Sequence, residues 1–354
     1  MSMLIEAGGT RFESLGLALP ARSLTTEALL ASTRHHTHID LERLTGIRER
    51  RVCSPGEDSL TLAVAAAQDC LAHSKYEAED LEMLVSCSIT KNHGGLRYAL
   101  EPPFSLAIKQ AIGAKRALNF DIANACAGMI TGIFVLNDFI RRGQIRCGMA
   151  VSGEYISNLG TNAALQIRSI LSPQLASLTL GDAGVAAIVE RAAVGARGIR
   201  VIAFTTLSEY SRLCIGVPAT VAPGATMYTQ AREIQRVAMA EVPALLGDVL
   251  ARSGLDLGQV DYLIPHQTSA RAIEKGAREL ATQLGVSAKH VVDNIALRGN
   301  TASTTHFVAL HEYLDAGRFK RGDVITLLSI ASGLEVGVLV FDMDELVDRY
   351  GSLH

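Results

Sequence analysis

Apolar and polar positions alternate along this chain with two periods. Short runs rich in Val, Ile and Leu are separated by longer stretches in which apolar residues recur every three or four positions, which predicts buried strands alternating with amphipathic helices. The clearest strand candidates are "EMLVSCS", "RALNFDI", "CGMAVSG", "VAAIVE", "DYLIPH" and "DVITLLSI". The clearest helix is "GMITGIFVLNDFIRRG" (128–143), and "QTSARAIEKGAREL" reads as a helix that starts on polar caps. Segment 208–230 has no clear period and is expected to form a flap.

The same pattern occurs twice, which points to an α/β protein built from two related halves. "QDCLAHSKYEAEDLEMLVSCS" (68–88) lies over "GDVLARSGLDLGQVDYLIPHQ" (247–267) without a gap, which sets His266 on Cys87. "LNDFIRRGQIRCG" (136–148) lies over "LHEYLDAGRFKRG" (310–322). Carried back along that helix, Cys126 falls on Asn300. A pseudo-two-fold relation would bring equivalent strand ends and helix starts together. The expected units are residues 1–185, holding Cys126, and 186–354, holding His266 and Asn300.

Composition narrows the function classes. The chain has 354 residues, 48% hydrophobic and 19% charged, with a net charge of −3. No apolar run approaches the ~18 residues of a membrane span, and scattered basic residues give no footprint for nucleic acid. "MSMLIEAGGTRFES" carries no basic n-region followed by an apolar h-region, so the cytoplasm is the expected location. Six cysteines without a CxxC pair indicate neither a zinc site nor a disulfide framework. Most are expected to pack as small hydrophobes.

Cys126 stands apart from the others. It lies in a strand-to-helix turn among Ala125, Ala127 and Gly128, where helix N-terminal amides favour a thiolate and can hold an oxyanion. His266 ends a short buried strand. Asn300 follows Gly299 just before a helix, either as an amide donor to a substrate or as a turn and cap residue. A cysteine, a histidine and an asparagine together suit acyl transfer through a thioester. The Cys126 N–H and Gly333 are candidate oxyanion donors. His306 reads as a packed or exposed histidine, and it stays outside the catalytic set together with Glu154.

These residues resemble the thiolase-fold condensing enzymes, specifically the β-ketoacyl-ACP synthase III branch. The resemblance rests on "LTGIRERR" (44–51), "NFDIANACAGM" (119–129), "LTLGDAGVAAIV" (178–189), "IPHQTSARAI" (264–273), "LRGNTAS" (297–303) and "SIASGLEVG" (329–337) in that order. It implies duplicated βαβαβ halves in a five-layered α/β/α/β/α sandwich and a homodimer. It also implies a mechanism without metal or redox cofactor, with acyl-CoA or acyl-carrier protein as thioester partner. Cys126 matches the acyl-accepting nucleophile, His266 and Asn300 the pair acting on the second thioester, and Gly333 the oxyanion glycine. Arg48 and Phe104 are carried as substrate-binding positions.

Three departures shape the expectation. "SIASGLEVG" lacks the second cysteine of degradative thiolases, which disfavours thiolytic cleavage. The chain has no Trp, and Asp40 and Leu44 stand where fatty-acid-starting members clamp adenine, a departure that points to an acyl-carrier protein or a differently held acyl-CoA as donor. Glu101 in "RYALEPPFS" resembles the base of head-to-head condensing enzymes, while a solvated loop carboxylate is the other reading. These departures favour a specialised lipid or polyketide pathway. Transfer of the acyl group to an alcohol or amine remains as an alternative, as does a subunit role in a condensing complex.

Overall fold

The computed structural model describes residues 2–6, 8–35, 39–193 and 195–351. Its strands are β1 (Ser2–Glu6), β2 (Thr10–Ala18), β3 (Ser23–Thr25), β4 (Glu49–Arg51), β5 (Met83–Ser86), β6 (Leu118–Asp121), β7 (Cys147–Glu154) and β8 (Ala183–Arg191). They continue with β9 (Ile199–Thr206), β10 (Cys214–Pro218), β11 (Ala225–Thr229), β12 (Tyr262–Pro265), β13 (His290–Val291), β14 (Val324–Ala331) and β15 (Glu335–Asp342). Each strand expected from the apolar runs is present. Among the longer main-sheet strands, β2, β9 and β15 lie outside that expectation.

The two main sheets repeat one topology. The first has the order β2-β8-β7-β5-β6 and the second β1-β9-β15-β14-β12-β13. β5 is parallel to β6 and β7, as β12 is to β13 and β14. Setting β1 aside, the second order copies the first. β8 runs to Arg191, past the boundary at 185, so the halves divide between β8 and β9. β1 pairs with β9, so the first strand of the chain completes the sheet of the C-terminal half.

Alternation along the strands builds three apolar layers around these sheets. On β8, Ala186 and Ile188 face helices Ser59–Ala72 and Phe104–Ile112, whereas Ala183, Val185, Ala187 and Val189 face helices Gly128–Arg141 and Thr305–Asp315. On β15, Leu339 and Phe341 share that central layer, while Val336, Val338 and Val340 face helices Ala231–Arg252 and Ala270–Leu284. The result is five layers, helix–sheet–helix–sheet–helix. Close approach needs glycine: a Cβ on Gly153 would lie 2.1 Å from Ser59 O, and one on Gly184 2.2 Å from Leu62 O.

The internal repeat needs one correction. Cys87 N–H donates to Val151 O and His266 N–H to Leu328 O, so these two residues do occupy equivalent strand ends. The central helices, however, differ in length, with 14 residues in Gly128–Arg141 and 11 in Thr305–Asp315. Matching their C-termini therefore slips their N-termini by most of a turn. At the N-terminal end, turn Ala125–Ala127 corresponds to turn Ala302–Thr304, and Cys126 stands opposite Ser303 rather than Asn300.

Candidate active site

The Cys126 turn is held by its neighbours. Asn124 Nδ2 donates to Thr131 Oγ1 at 2.8 Å and to Glu335 Oε1 at 2.7 Å, and Thr131 Oγ1 donates to Ala127 O at 2.9 Å. These bonds tie the start of the central helix to the start of β15. The turn packs against β14, β15 and turn Ala302–Thr304. Ala125 has φ 43° and Ala302 φ 58°, so both turns enter their helices through a left-handed alanine. Such a conformation costs about 1–2 kcal/mol per residue without glycine.

Burial alters the expected thiolate. Cys126 is half-buried, packed with Ile156, Leu159, Leu180, Ala302, Ala225 and Met227. Desolvation pushes its thiol well above the ordinary value, and Cys214 and the carboxylate of Glu154 push in the same direction. A helix N-terminus contributes about 0.3–1 kcal/mol, which is too little to reverse this. Burial thus favours the neutral thiol at Cys126 over the thiolate, so a proton acceptor beside it would assist its reaction.

His266 has that capacity. Its N–H donates to Leu328 O at 2.9 Å and the residue is 8% exposed. Desolvation lowers its imidazole to about 3, with His306 adding to the effect, so the ring is neutral at ordinary pH. Asn300 uses Oδ1 to accept from Ala302 N–H at 2.9 Å, which leaves its NH2 edge on the other side. Its backbone is fixed by Thr179 O and Gly181 N–H. Asn300 is thus both a turn residue and an oriented amide. Gly333, in the turn between β14 and β15, has φ 145°, a conformation open only to glycine.

Three other positions lie apart from this constellation. Within one chain Glu101 is exposed, not buried, on the loop before Pro102 and Pro103. Arg48 is exposed and its N–H donates to Ala296 O. Phe104 is 2% exposed and belongs to the apolar cluster of Ala63, Ala66, Ala67 and Ile108, so within one chain it occupies a core position. Its N–H and that of Ser105 donate to Asp121, so the β6 carboxylate caps that helix. Of the segment 38–48 at the expected adenine clamp, position 38 lies outside the described residues.

Sequence reasoning passed over two buried groups beside the site. Glu154, at the end of β7, accepts from Ile89 N–H (2.8 Å), Thr90 N–H (3.0 Å), Thr90 Oγ1 (2.6 Å) and Ser303 Oγ (2.5 Å). Burial raises its carboxyl pKa while these bonds oppose the shift. His306 is fully buried against His266. A glutamate closing an apolar eight-residue strand was the available signal for the first. The aperiodic segment folds as hairpin β10–β11, anchored where Asn162 Nδ2 donates to Pro223 O and Ala225 O at 3.0 Å. Among the described residues no helix is long and apolar enough to cross a membrane, and no group of acidic, His or Cys side chains is arranged to hold a metal.

Comparison with known proteins places this geometry. Residues 120–209 match the 3-oxoacyl-[acyl-carrier-protein] synthase III family and residues 250–343 match its C-terminal counterpart. The β-ketoacyl-[acyl-carrier-protein] synthase III of Gloeobacter violaceus is 30% identical, with 92% of this chain and 96% of that protein covered. That of Symbiobacterium thermophilum is 29% identical, with coverage of 92% and 95%. Among solved structures, Xanthomonas campestris OleA aligns with TM-score 0.83 at 20% identity, covering 96% of this chain and 99% of that one. The priming β-ketosynthase of the R1128 polyketide pathway aligns with TM-score 0.81 at 22% identity, covering 96% and 97%.

Fold and sequence together define a thiolase-fold condensing enzyme, an acyltransferase of the β-ketoacyl synthase type. The chain belongs to the 3-oxoacyl-[acyl-carrier-protein] synthase III family.

Proposed function

We propose that Cys126 carries the acyl group and that His266, Asn300 and Gly333 serve the two halves of a Claisen condensation. The observation that carries this reading is the packing of the Cys126 turn against both β14, where His266 is anchored, and the turn that follows Asn300. Neutral His266 takes the thiol proton as sulfur attacks the donor thioester. The acyl–sulfur bond of the donor breaks, and the departing thiolate receives the proton. The tetrahedral oxyanion is met by backbone N–H groups at Cys126 and Gly333.

In the second half a malonyl-type thioester loses CO2, and its enolate carbon attacks the acyl-cysteine. Negative charge grows on the thioester oxygen, where the Asn300 amide donates. A proton from solvent water joins His266 as the charge grows, so that its ring donates as well, and that proton passes to the Cys126 sulfur when it leaves. Collapse expels the Cys126 sulfur and releases a β-ketoacyl thioester. The acyl chain would lie under hairpin β10–β11, whose Ala225 and Met227 pack against the same apolar cluster as Cys126.

The partners are acyl-CoA or acyl-carrier protein and a second copy of the chain. Leu100 at 82%, Leu118 at 57% and Tyr98 at 56% exposure support that second copy, since they leave apolar surface beside Glu101 and on edge strand β6. Glu101 would then reach the partner's site as a base for condensation without decarboxylation. A specialised pathway fits that role and the missing Trp. The location expected with it is the cytoplasm.

Intact-protein mass spectrometry after incubation with a panel of acyl-CoA and acyl-carrier-protein thioesters tests this reading. An adduct on wild type that is absent from Cys126→Ala is expected, and its mass names the donor. An adduct that persists in the variant refutes the nucleophile assignment. Glu101→Gln is expected to stop non-decarboxylative condensation, and an unchanged rate removes Glu101 from the site.

A further inference from the structure

His306 sits in the first turn of the central helix Thr305–Asp315, away from any surface, where an apolar residue would fill the layer. Its Nε2 lies 3.0 Å from Leu328 O, the same carbonyl that accepts the His266 N–H. A carbonyl only accepts, so Nε2 of His306 carries the proton and Nδ1 of the neutral ring is a bare acceptor. That Nδ1 is sealed from solvent without a partner. The His266 ring is tilted 38° to it with centroids 5.5 Å apart, and its Nδ1 is likewise sealed and unpartnered, whereas its Nε2 is not. Two facing imidazoles therefore each turn an orphaned Nδ1 into the interior, and His266 keeps Nε2 for the site.

An unsatisfied buried polar atom costs about 1–3 kcal/mol. Two such atoms in one place beside a working histidine call for a common explanation. No direct hydrogen bond joins the two Nδ1 atoms, and one bridging water, which needs two to four polar partners, would satisfy both. Ser329 Oγ, on the residue after Leu328, is a third sealed and unpartnered atom.

The geometry points to His306 as a positioning residue for His266, acting through a water that joins the two Nδ1 atoms and fixes His266 as the Nδ1–H tautomer with Nε2 bare. This rests on the reading that His266 serves the Cys126 thiol. When the Cys126 S–H bond breaks, an N–H bond forms at Nε2 of His266. The Nδ1–H proton then shifts toward the water, and a water proton shifts toward Nδ1 of His306. The positive charge is spread over two rings, and the path reverses when the departing thiolate takes the proton. Both rings resist protonation alone, His266 lowered to about 3 and His306 to about 4, the latter eased by its bond to Leu328 O.

The test combines imidazole ¹⁵N NMR on wild type with pre-steady-state acylation of His306→Leu, His306→Gln and His266→Ala. Expected in the free wild-type enzyme is a protonated Nδ1 and bare Nε2 on His266, with the opposite tautomer on His306. His306→Leu is expected to slow acylation about tenfold or more, part of the ~10²–10⁴-fold that positioned proton transfer supplies. Its KM for the donor stays unchanged, and His306→Gln recovers part of the rate. Nε2–H on His266 in free wild type overturns the inference without recourse to any variant, as does wild-type acylation by folded His306→Leu. Normal acylation by His266→Ala instead overturns the reading of His266 itself, so the two failures are distinguishable.

Discussion

Ala125 and Ala302 share one backbone conformation, φ 43° and 58°, each one residue before the position that the duplication equates, Cys126 in one half and Ser303 in the other. The turn geometry of the fold is thus kept in both halves, with a thiol placed on one copy and a hydroxyl on the other. Ser303 reaches Glu154 of the N-terminal half, so the copy without the thiol braces the one that has it.

The left-handed turn sets the first prediction. Ala125→Val puts a β-branched residue at positive φ and is expected to destabilise by about 1–3 kcal/mol. Ala125→Gly is expected to be near neutral, because relief of strain is offset by about 0.4–1 kcal/mol of extra backbone entropy in the unfolded chain. Thermal melts of the two variants check this. A valine variant as stable as wild type would contradict the conformation described.

The thiol sets the second. With burial pushing Cys126 upward, alkylation of the free enzyme by iodoacetamide is expected to keep rising with pH beyond about 8.5, the value for an unperturbed thiol. Rates followed by intact mass from neutral to alkaline pH measure it. A plateau near neutrality would show that the helix turn outweighs desolvation.

Glu154 sets the third. Glu154→Gln replaces one acceptor oxygen with a donor among groups that themselves donate, and a loss of about 2–3 kcal/mol is expected. Decarboxylation of a malonyl thioester should fall with it, since Ser303 holds the turn that carries Asn300. Urea unfolding and CO2 release give the two readouts. A variant with wild-type values in both would leave Glu154 as a passive buried acid.

The paired histidines set a fourth, in stability against pH. Their folded values, about 3 for His266 and about 4 for His306, lie below the ordinary 6.5. The unfolded chain therefore binds more protons between those limits, and stability falls as pH drops below 6.5. Above 6.5 the two rings contribute no pH dependence. Each ring contributes a slope of about 1.4 kcal/mol per pH unit inside its window. Asp182, raised to about 6 by burial, works in the opposite direction between its unfolded value and 6. The informative quantity is therefore the slope of wild type minus that of His306→Leu, from urea midpoints between pH 5 and 7. Equal slopes would mean that His306 is not held neutral.

The sequence by itself determined the architecture and singled out Cys126. Apolar runs marked β5, β6, β7, β8, β12 and β14, and β5, β7, β8 and β14 are apolar because they are buried on both faces. The repeat exposed the duplication, and the turn around Cys126 stood out because small residues flank a lone cysteine where a strand becomes a helix. What tertiary structure decided was contact between distant segments. The slip from Asn300 to Ser303 follows from a central helix three residues shorter than its counterpart, which a match of helix ends cannot register. The burial of the Cys126 thiol, the hydrogen bonds on Glu154 and the facing of His306 toward His266 depend on desolvation and on which side chains meet across the halves. Those are properties of packing, and no local pattern of residues carries them.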